Sequence, residues 1–180
     1  ELVEKNRLIG TTLDELQKLY DSLDRDLIEA RKLQQTLVRD RFRDFGAGTA
    51  SLMLRPSGHV GGDLVGSFEI DANRIVLFGV DVSGHGVASA MMTARLAGLL
   101  SGASPDQNIA LRIGADGRRD AWSPAEVAQR LNRLMIDDLQ VDQYFTLAYA
   151  EINLANGACE LVQAGHPHPL LLRATGGVEV

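Results

Sequence analysis

The chain has 180 residues, of which 45% are hydrophobic and 5% aromatic, and it carries a formal net charge of −6. That suits one domain of ordinary size plus an appendage, with a core of Leu, Val, Ile and Ala, and the lack of a basic cluster argues against a nucleic-acid partner. One cysteine, Cys159, leaves no internal disulfide framework and agrees with a reducing cytoplasm, while no run reaches the roughly 18 apolar residues of a membrane helix and no signal peptide opens the chain, so neither a membrane nor a nucleic acid is expected as partner.

Residues 1–40 contain no proline and are rich in Leu, Asp, Glu, Arg and Lys. Leu2, Ile9, Leu16, Leu23, Ala30 and Leu37 recur every seven residues. Asn6, Leu13, Tyr20, Leu27 and Gln34 form a second series offset from the first by three, which gives the d and a positions of a coiled coil. Leucine at d suits a parallel dimer, and Asn at a can fix register. A homodimer through residues 2–37 is therefore expected, against the alternative of an amphipathic helix packed on its own domain. Gly10 and the Thr11–Thr12 pair weaken the early part of the helix.

Residues 41–58 read as a leading loop and a first strand, closed by Pro56-Ser57-Gly58. Leu64 to Phe68 and Arg74 to Val82 read as strands joined by a turn at Asp71-Ala72-Asn73. A helix from Gly86 to about Leu100 should bury Ala90, Met91, Ala94 and Ala97-Gly98. Residues 101–124 read as a long mobile loop, with at most a short helix around Ile109–Ile113, and Asp116-Gly117 lies in that loop. Ser123-Pro124-Ala125-Glu126 is a helix start with a capping box, and the helix should run to about Leu139. Phe145–Ile152 and Ala158–Ala164 are strands around an Asn156-Gly157 turn, with Cys159 packed in the second of them. A further strand begins at Pro169–Ala174 and turns at Gly176-Gly177.

Two acids are placed for chemistry. Asp81 ends the strand before Val82-Ser83-Gly84-His85-Gly86, where the glycines let the backbone approach whatever the acid holds. Asp63 follows Val60-Gly61-Gly62 and opens the preceding strand. A single Asp in a glycine turn is ordinarily a turn former or a helix cap. Two on adjacent strand ends can share a hard divalent cation. His85 and His166 read as structural or supporting groups near that edge, and His168 as exposed. Gly84-His85-Gly86 matches neither a dinucleotide fingerprint nor a P-loop, and Cys159, outside every motif, does not suggest a cysteine phosphatase.

Four segments occur in order: Val60-Gly61-Gly62-Asp63, Asp81-Val82-Ser83-Gly84-His85-Gly86, Tyr144-Phe145-Thr146-Leu147-Ala148-Tyr149 and Ala164-Gly165-His166-Pro167-His168-Pro169. Over roughly residues 47–180 this set resembles the bacterial SpoIIE-type branch of the metal-dependent protein serine/threonine phosphatases, the protein phosphatase 2C-like family. The resemblance implies an α+β fold, an α-β-β-α sandwich of two antiparallel sheets flanked by helices, here incomplete at its C-terminus. That domain, residues 41–180, follows the coiled-coil helix of residues 1–40.

The resemblance also implies a site for two Mn²⁺ or Mg²⁺ ions, with Asp81 bridging them, Asp63 holding one and the Val82 carbonyl adding a ligand; Asp63 and Asp81 are then the catalytic residues. The implied activity is hydrolysis of phosphoserine or phosphothreonine on a regulatory protein such as an anti-sigma-factor antagonist, downstream of a sensor or receiver domain. A phosphatase-like scaffold that binds its partner without turnover is the competing expectation. Where the family often has a second acid after the first motif, this chain has Gly66. The family's late acidic motifs would fall beyond Val180, so the 180-residue chain alone is expected to be catalytically silent and to bind metal weakly or at one site.

Overall fold

Alternating burial along two strands sets the architecture. In β3 (Asp63–Glu69) and β4 (Arg74–Val82), Leu64, Phe68, Val76, Phe78, Val80 and Val82 point to one face and are buried. A computed structural model describes residues 1–38, 41–56, 58–139 and 142–180; the last two residues of the expected linker helix, 39–40, and Ser57 of the expected turn lie outside them. β3 and β4 join β7 (Phe145–Asn153) and β8 (Cys159–Ala164) in a four-stranded antiparallel sheet of order β3-β4-β7-β8. The other strands pair two by two as antiparallel hairpins: β1 (Phe42–Asp44) with β2 (Thr49–Ser51), β5 (Leu111–Ile113) with β6 (Arg119–Ala121), and β9 (Leu171–Leu172) with β10 (Val178–Glu179). The mixed α+β class, the antiparallel sheets and the long leading helix are as expected.

The core lies between the buried face of the four-stranded sheet and two helices, α2 (Val87–Leu99) and α3 (Pro124–Arg133). Phe68 packs with Phe78 and Tyr149 at ring-centroid distances of 6.3 and 6.4 Å. Gly66 belongs to this packing, because the Phe78 ring occupies the space where a Gly66 side chain would begin. An acid at position 66 is therefore sterically barred while Phe78 stays in place. On the opposite face Val65, Ser67, Leu77, Ala148, Ala150 and Ile152 are only half-buried.

Several elements differ from their sequence reading. α2 buries Ser89, Met92, Thr93 and Leu96, while Met91 is 68% exposed. Its run of small residues defines no clear apolar stripe, and two hydroxyls face inward because each finds a backbone acceptor. The expected mobile loop of 101–124 is ordered instead by a 3₁₀ turn at Pro105–Gln107 and by the β5-β6 hairpin, with Ala110 and Ala121 buried. Asp116-Gly117 forms the tip of that hairpin. α3 begins at the expected Ser123–Glu126 capping box, ends at Arg133 and continues as a π-helical turn over Leu134–Leu139. Cys159 lies on the edge strand and is exposed.

α1 (Leu2–Gln35) runs unbroken through Gly10, where the Thr11 and Thr12 hydroxyls each donate to the Leu8 carbonyl at 2.9 Å. Its apolar positions up to Leu23 are exposed, whereas Gln34 and Val38 are buried and Leu37 packs on the core. Among the described residues no helix is long and apolar enough to cross a membrane.

Candidate metal centre

Strand register brings the two acids together. Asp63, the first residue of β3, stands directly opposite Asp81 of β4, and Asp81 stands opposite Thr146 of β7. Their neighbours Leu64, Val80 and Leu147 point into the core. The period of two along a strand therefore turns Asp63, Asp81 and Thr146 to the other face, at one end of the sheet. Both acids are exposed. The Asp63 carboxyl is held above the usual carboxylate range, by burial first and then by the like charge of Asp81 and a hydrogen bond with it, while His166 pulls the other way. A carboxyl whose ionisation is made costlier by burial and by a second carboxylate beside it is the arrangement a cation relieves.

The loop ahead of Asp63 is fastened from two sides. From α1, Gln34 Nε2 donates to the Gly61 carbonyl at 2.6 Å and the Gly61 N–H donates to Gln34 Oε1 at 3.0 Å. Asp24, also on α1, meets His59 Nε2 at 3.0 Å. From α2, the Thr93 hydroxyl donates to the Gly62 carbonyl at 2.8 Å, with the Ser89 carbonyl at 2.9 Å as its other neighbour. Gly62 closes the strand pair: its carbonyl accepts from the Val82 N–H at 3.1 Å, and a side chain there would collide with the Val82 carbonyl.

After Asp81 the strand end is fixed to β7, since Ser83 N–H donates to the Tyr144 carbonyl at 2.8 Å and Tyr144 N–H donates to Ser83 Oγ at 3.0 Å. Gly84 and Gly86 then take φ of 87° and 81°, which lets the chain turn into α2 within a few residues.

Of the expected site residues, Asp63 and Asp81 are brought together. Val82 is buried, and its carbonyl faces Gly62 across the strand pair. His85 is exposed on the helix side of the turn. His166 is half-buried, and its Nδ1 lies 2.8 Å from Thr146 Oγ1. Among the described residues no group of three or more His, Cys, Asp or Glu side chains gathers around one point. The donors present, two carboxylates with backbone carbonyls close by, fit one hard cation, and they are too few for two. Gln34, Thr93 and Thr146 were given no part in the site by the sequence reading. Gln34 carried a signal, as a polar residue at a heptad position that is apolar over the three preceding heptads. Thr146 carried one as the only Ser or Thr in a strand segment already singled out.

The antiparallel sheet backed by helices has the mixed α+β architecture expected from the sequence, and comparison with known proteins says which family it belongs to. The sequence model of the SpoIIE family, stage II sporulation protein E, matches residues 71–180, more than half of the chain. The chain belongs to that family. It is 29% identical over 155 residues to phosphoserine phosphatase RsbP of Bacillus subtilis (strain 168), a match covering 86% of this chain and 36% of that protein. Its fold is similar to that of the RsbU and RsbW domains of Rv1364c from Mycobacterium tuberculosis, with a TM-score of 0.50, 21% identity and coverage of 69% of this chain and 31% of that one. The chain thus spans about a third of the length of each.

Proposed function

We propose that this chain carries the Asp63–Asp81 half of the active site of a metal-dependent protein serine/threonine phosphatase, whose substrate is a phosphorylated regulatory protein such as an anti-sigma-factor antagonist. The observation behind it is the direct cross-strand pairing of Asp63 with Asp81, the second of which lies within the family-matched residues 71–180 and the first just ahead of them. Mg²⁺ or Mn²⁺ at such a site activates a water and neutralises phosphoryl oxygens during in-line attack. Asp81, on the central strand pair, would be the ligand shared by both ions, and Asp63 would hold one of them. The Val82 carbonyl joins them only after leaving its contact with Gly62, so the backbone at 60–62 governs how complete the site is. Carboxylates from outside this chain complete the set for two ions. Upstream, α1 pairs with a second copy through its free apolar positions and connects to a sensor or receiver domain, in a partner-switching pathway of the cytoplasm.

The test is hydrolysis of candidate phosphoproteins with Mn²⁺ by the full-length protein that contains this chain. Asp81→Asn should reduce turnover by at least about 10³-fold, since the bridging charge is lost from a site that works by charge stabilisation. Wild-type turnover in Asp81→Asn would remove the assignment. Partner binding with no turnover in either form would establish a scaffold instead.

A further inference from the structure

β3 is an edge of the four-stranded sheet, with β4 as its one neighbour. The bonds at its two ends show which of its backbone groups are left over. The Val82 N–H donates to the Gly62 carbonyl and the Ile70 N–H donates to the Arg74 carbonyl, so the even positions of β3 are the ones that exchange hydrogen bonds with β4. Val65, Ser67 and Glu69 therefore turn their N–H and C=O groups outward, and among the described residues no backbone group bonds to them. Yet Val65 and Ser67 are half-buried, because this edge lies in a groove of about 360 Å³ lined by all six residues from Leu64 to Glu69. Ala97 and Leu100, at the end of α2, wall the groove on the core face. Leu52 and Arg43, from the β1-β2 hairpin, wall it on the other face, where Arg43 is paired with Glu69. Arg119 also lines it, from β6 beside the β3-β4 turn, and meets no carboxylate among the described residues.

We propose that the β3 edge is a docking site for an extended segment of a partner protein, which adds a fifth strand antiparallel to β3 and places an acidic side chain beside Arg119 and Arg43. Two observations choose this occupant. A row of outward N–H and C=O groups at one strand's spacing is matched by another strand and by no side chain or compact surface. The charge of the groove is net positive, two guanidiniums against the one carboxylate of Glu69, in a chain that is acidic as a whole. The side chains of the incoming strand alternate between Ala97 and Leu100 on one face and Leu52 on the other, so small apolar residues fit both. A second copy of this chain is the poorer occupant. Full overlap of two β3 strands would set Asp63 of each opposite Glu69 of the other, like charges side by side. The site needs no metal, so it stands apart from the Asp63–Asp81 reading.

The experiment uses the full-length protein and a dye-labelled octapeptide of alternating Thr and Val that begins with Glu, followed by fluorescence polarisation in metal-free buffer. Wild type should bind it with a Kd below about 1 mM. Ser67→Pro removes an outward N–H and leaves the pairing with β4 intact, so affinity should fall at least about 10-fold with the melting temperature kept. Ser67→Ala should bind as wild type does. Arg119→Glu, on an exposed side chain, should weaken binding about 10-fold, and replacing the peptide's Glu by Gln should remove most of that difference. The backbone signature comes from the peptide: N-methylation of one alternate set of its amides should abolish binding, and N-methylation of the other set should leave it unchanged. Absence of binding up to about 1 mM would overturn the proposal. So would equal losses from both methylated sets, or wild-type affinity in a folded Ser67→Pro. A dimer of the chain that Ser67→Pro breaks would give the edge to a second copy and overturn it as well.

Discussion

Asp63 and Asp81 set function against stability at the scale of single residues. Partial burial, and then the like charge of Asp81, lift the Asp63 carboxyl above its usual range. An acid whose folded-state pKa is raised contributes stability that is full below the unfolded value and is lost as pH rises through the folded one. Metal-free protein should therefore be less stable at pH 7 than its other groups alone would make it. Asp63→Asn removes the charge without removing the shape. Its metal-free melting temperature at pH 7 should equal or exceed that of wild type. The variant should also lose the rise that Mg²⁺ gives wild type, which is about 2.7 kcal/mol at a hundred times the dissociation constant. A clear fall in metal-free melting temperature would mean that Asp63 holds the fold rather than a cation.

Among the elements, the far end of the sheet is held by one cation. Arg74 at the start of β4 reaches Asp71 in the β3-β4 turn at 2.7 Å, Asp120 on β6 at 3.0 Å and Glu151 on β7 at 3.3 Å. Arg112 grips the other oxygen of Asp120 at 2.9 Å and lies, with Arg130, against the Trp122 ring at 4.6 and 3.7 Å. A planar fork can serve three carboxylates in three directions, and a lysine cannot. Arg74→Lys should cost about 1–2 kcal/mol in urea unfolding, and a loss within about 0.3 kcal/mol would show that the exposed part of the network is as weak as isolated surface pairs. The same contacts, with the Ala121 backbone N–H first among them, hold Asp120 at about 2, below its ordinary 3.8. That stabilisation is present above the unfolded value and fades as pH falls from about 4 towards 2.

This network also shows what the sequence carried. β3, β4, β7 and β8 were legible because apolar runs and glycine turns bound them, and the Ser123–Glu126 box marked the start of α3. β5 and β6 were not, because three-residue strands among Arg and Asp leave no periodicity to read. They are held by Arg74, a contact distant in sequence, and by Trp122 at the end of β6. The acids at positions 63 and 81 were legible as a pair, but their support from Gln34 and Thr93 was not, since a side chain that bonds to a backbone far along the chain leaves no local pattern.

For the whole molecule, the heptad stripe of α1 divides in two. Ala30, Gln34 and Leu37 occupy seam positions, yet here they turn to the domain: Gln34 is buried against Gly61, and Leu37 packs on the core. Leu2, Ile9, Leu13, Leu16, Tyr20 and Leu23 remain exposed, each at least 46% accessible. One face of one helix thus serves two surfaces in succession. An isolated helix with this exposed stripe is marginal in water, and pairing with a second copy is the cheapest way to cover it. A dimer should therefore form through residues 2–23 rather than through the whole of 2–37. Light scattering at micromolar concentration should give a dimer for the chain and a monomer after removal of residues 1–23, with Gln34 still bonded to Gly61 and the melting temperature of the domain kept. A truncated chain that stays dimeric would move the interface to the domain. A full chain that is monomeric would leave the stripe to some other partner. Because the dock at Gln34 follows the exposed stripe without a break in the helix, a dimer formed through that stripe should deliver any change of pitch or crossing to Gly61-Gly62, the two residues just ahead of Asp63.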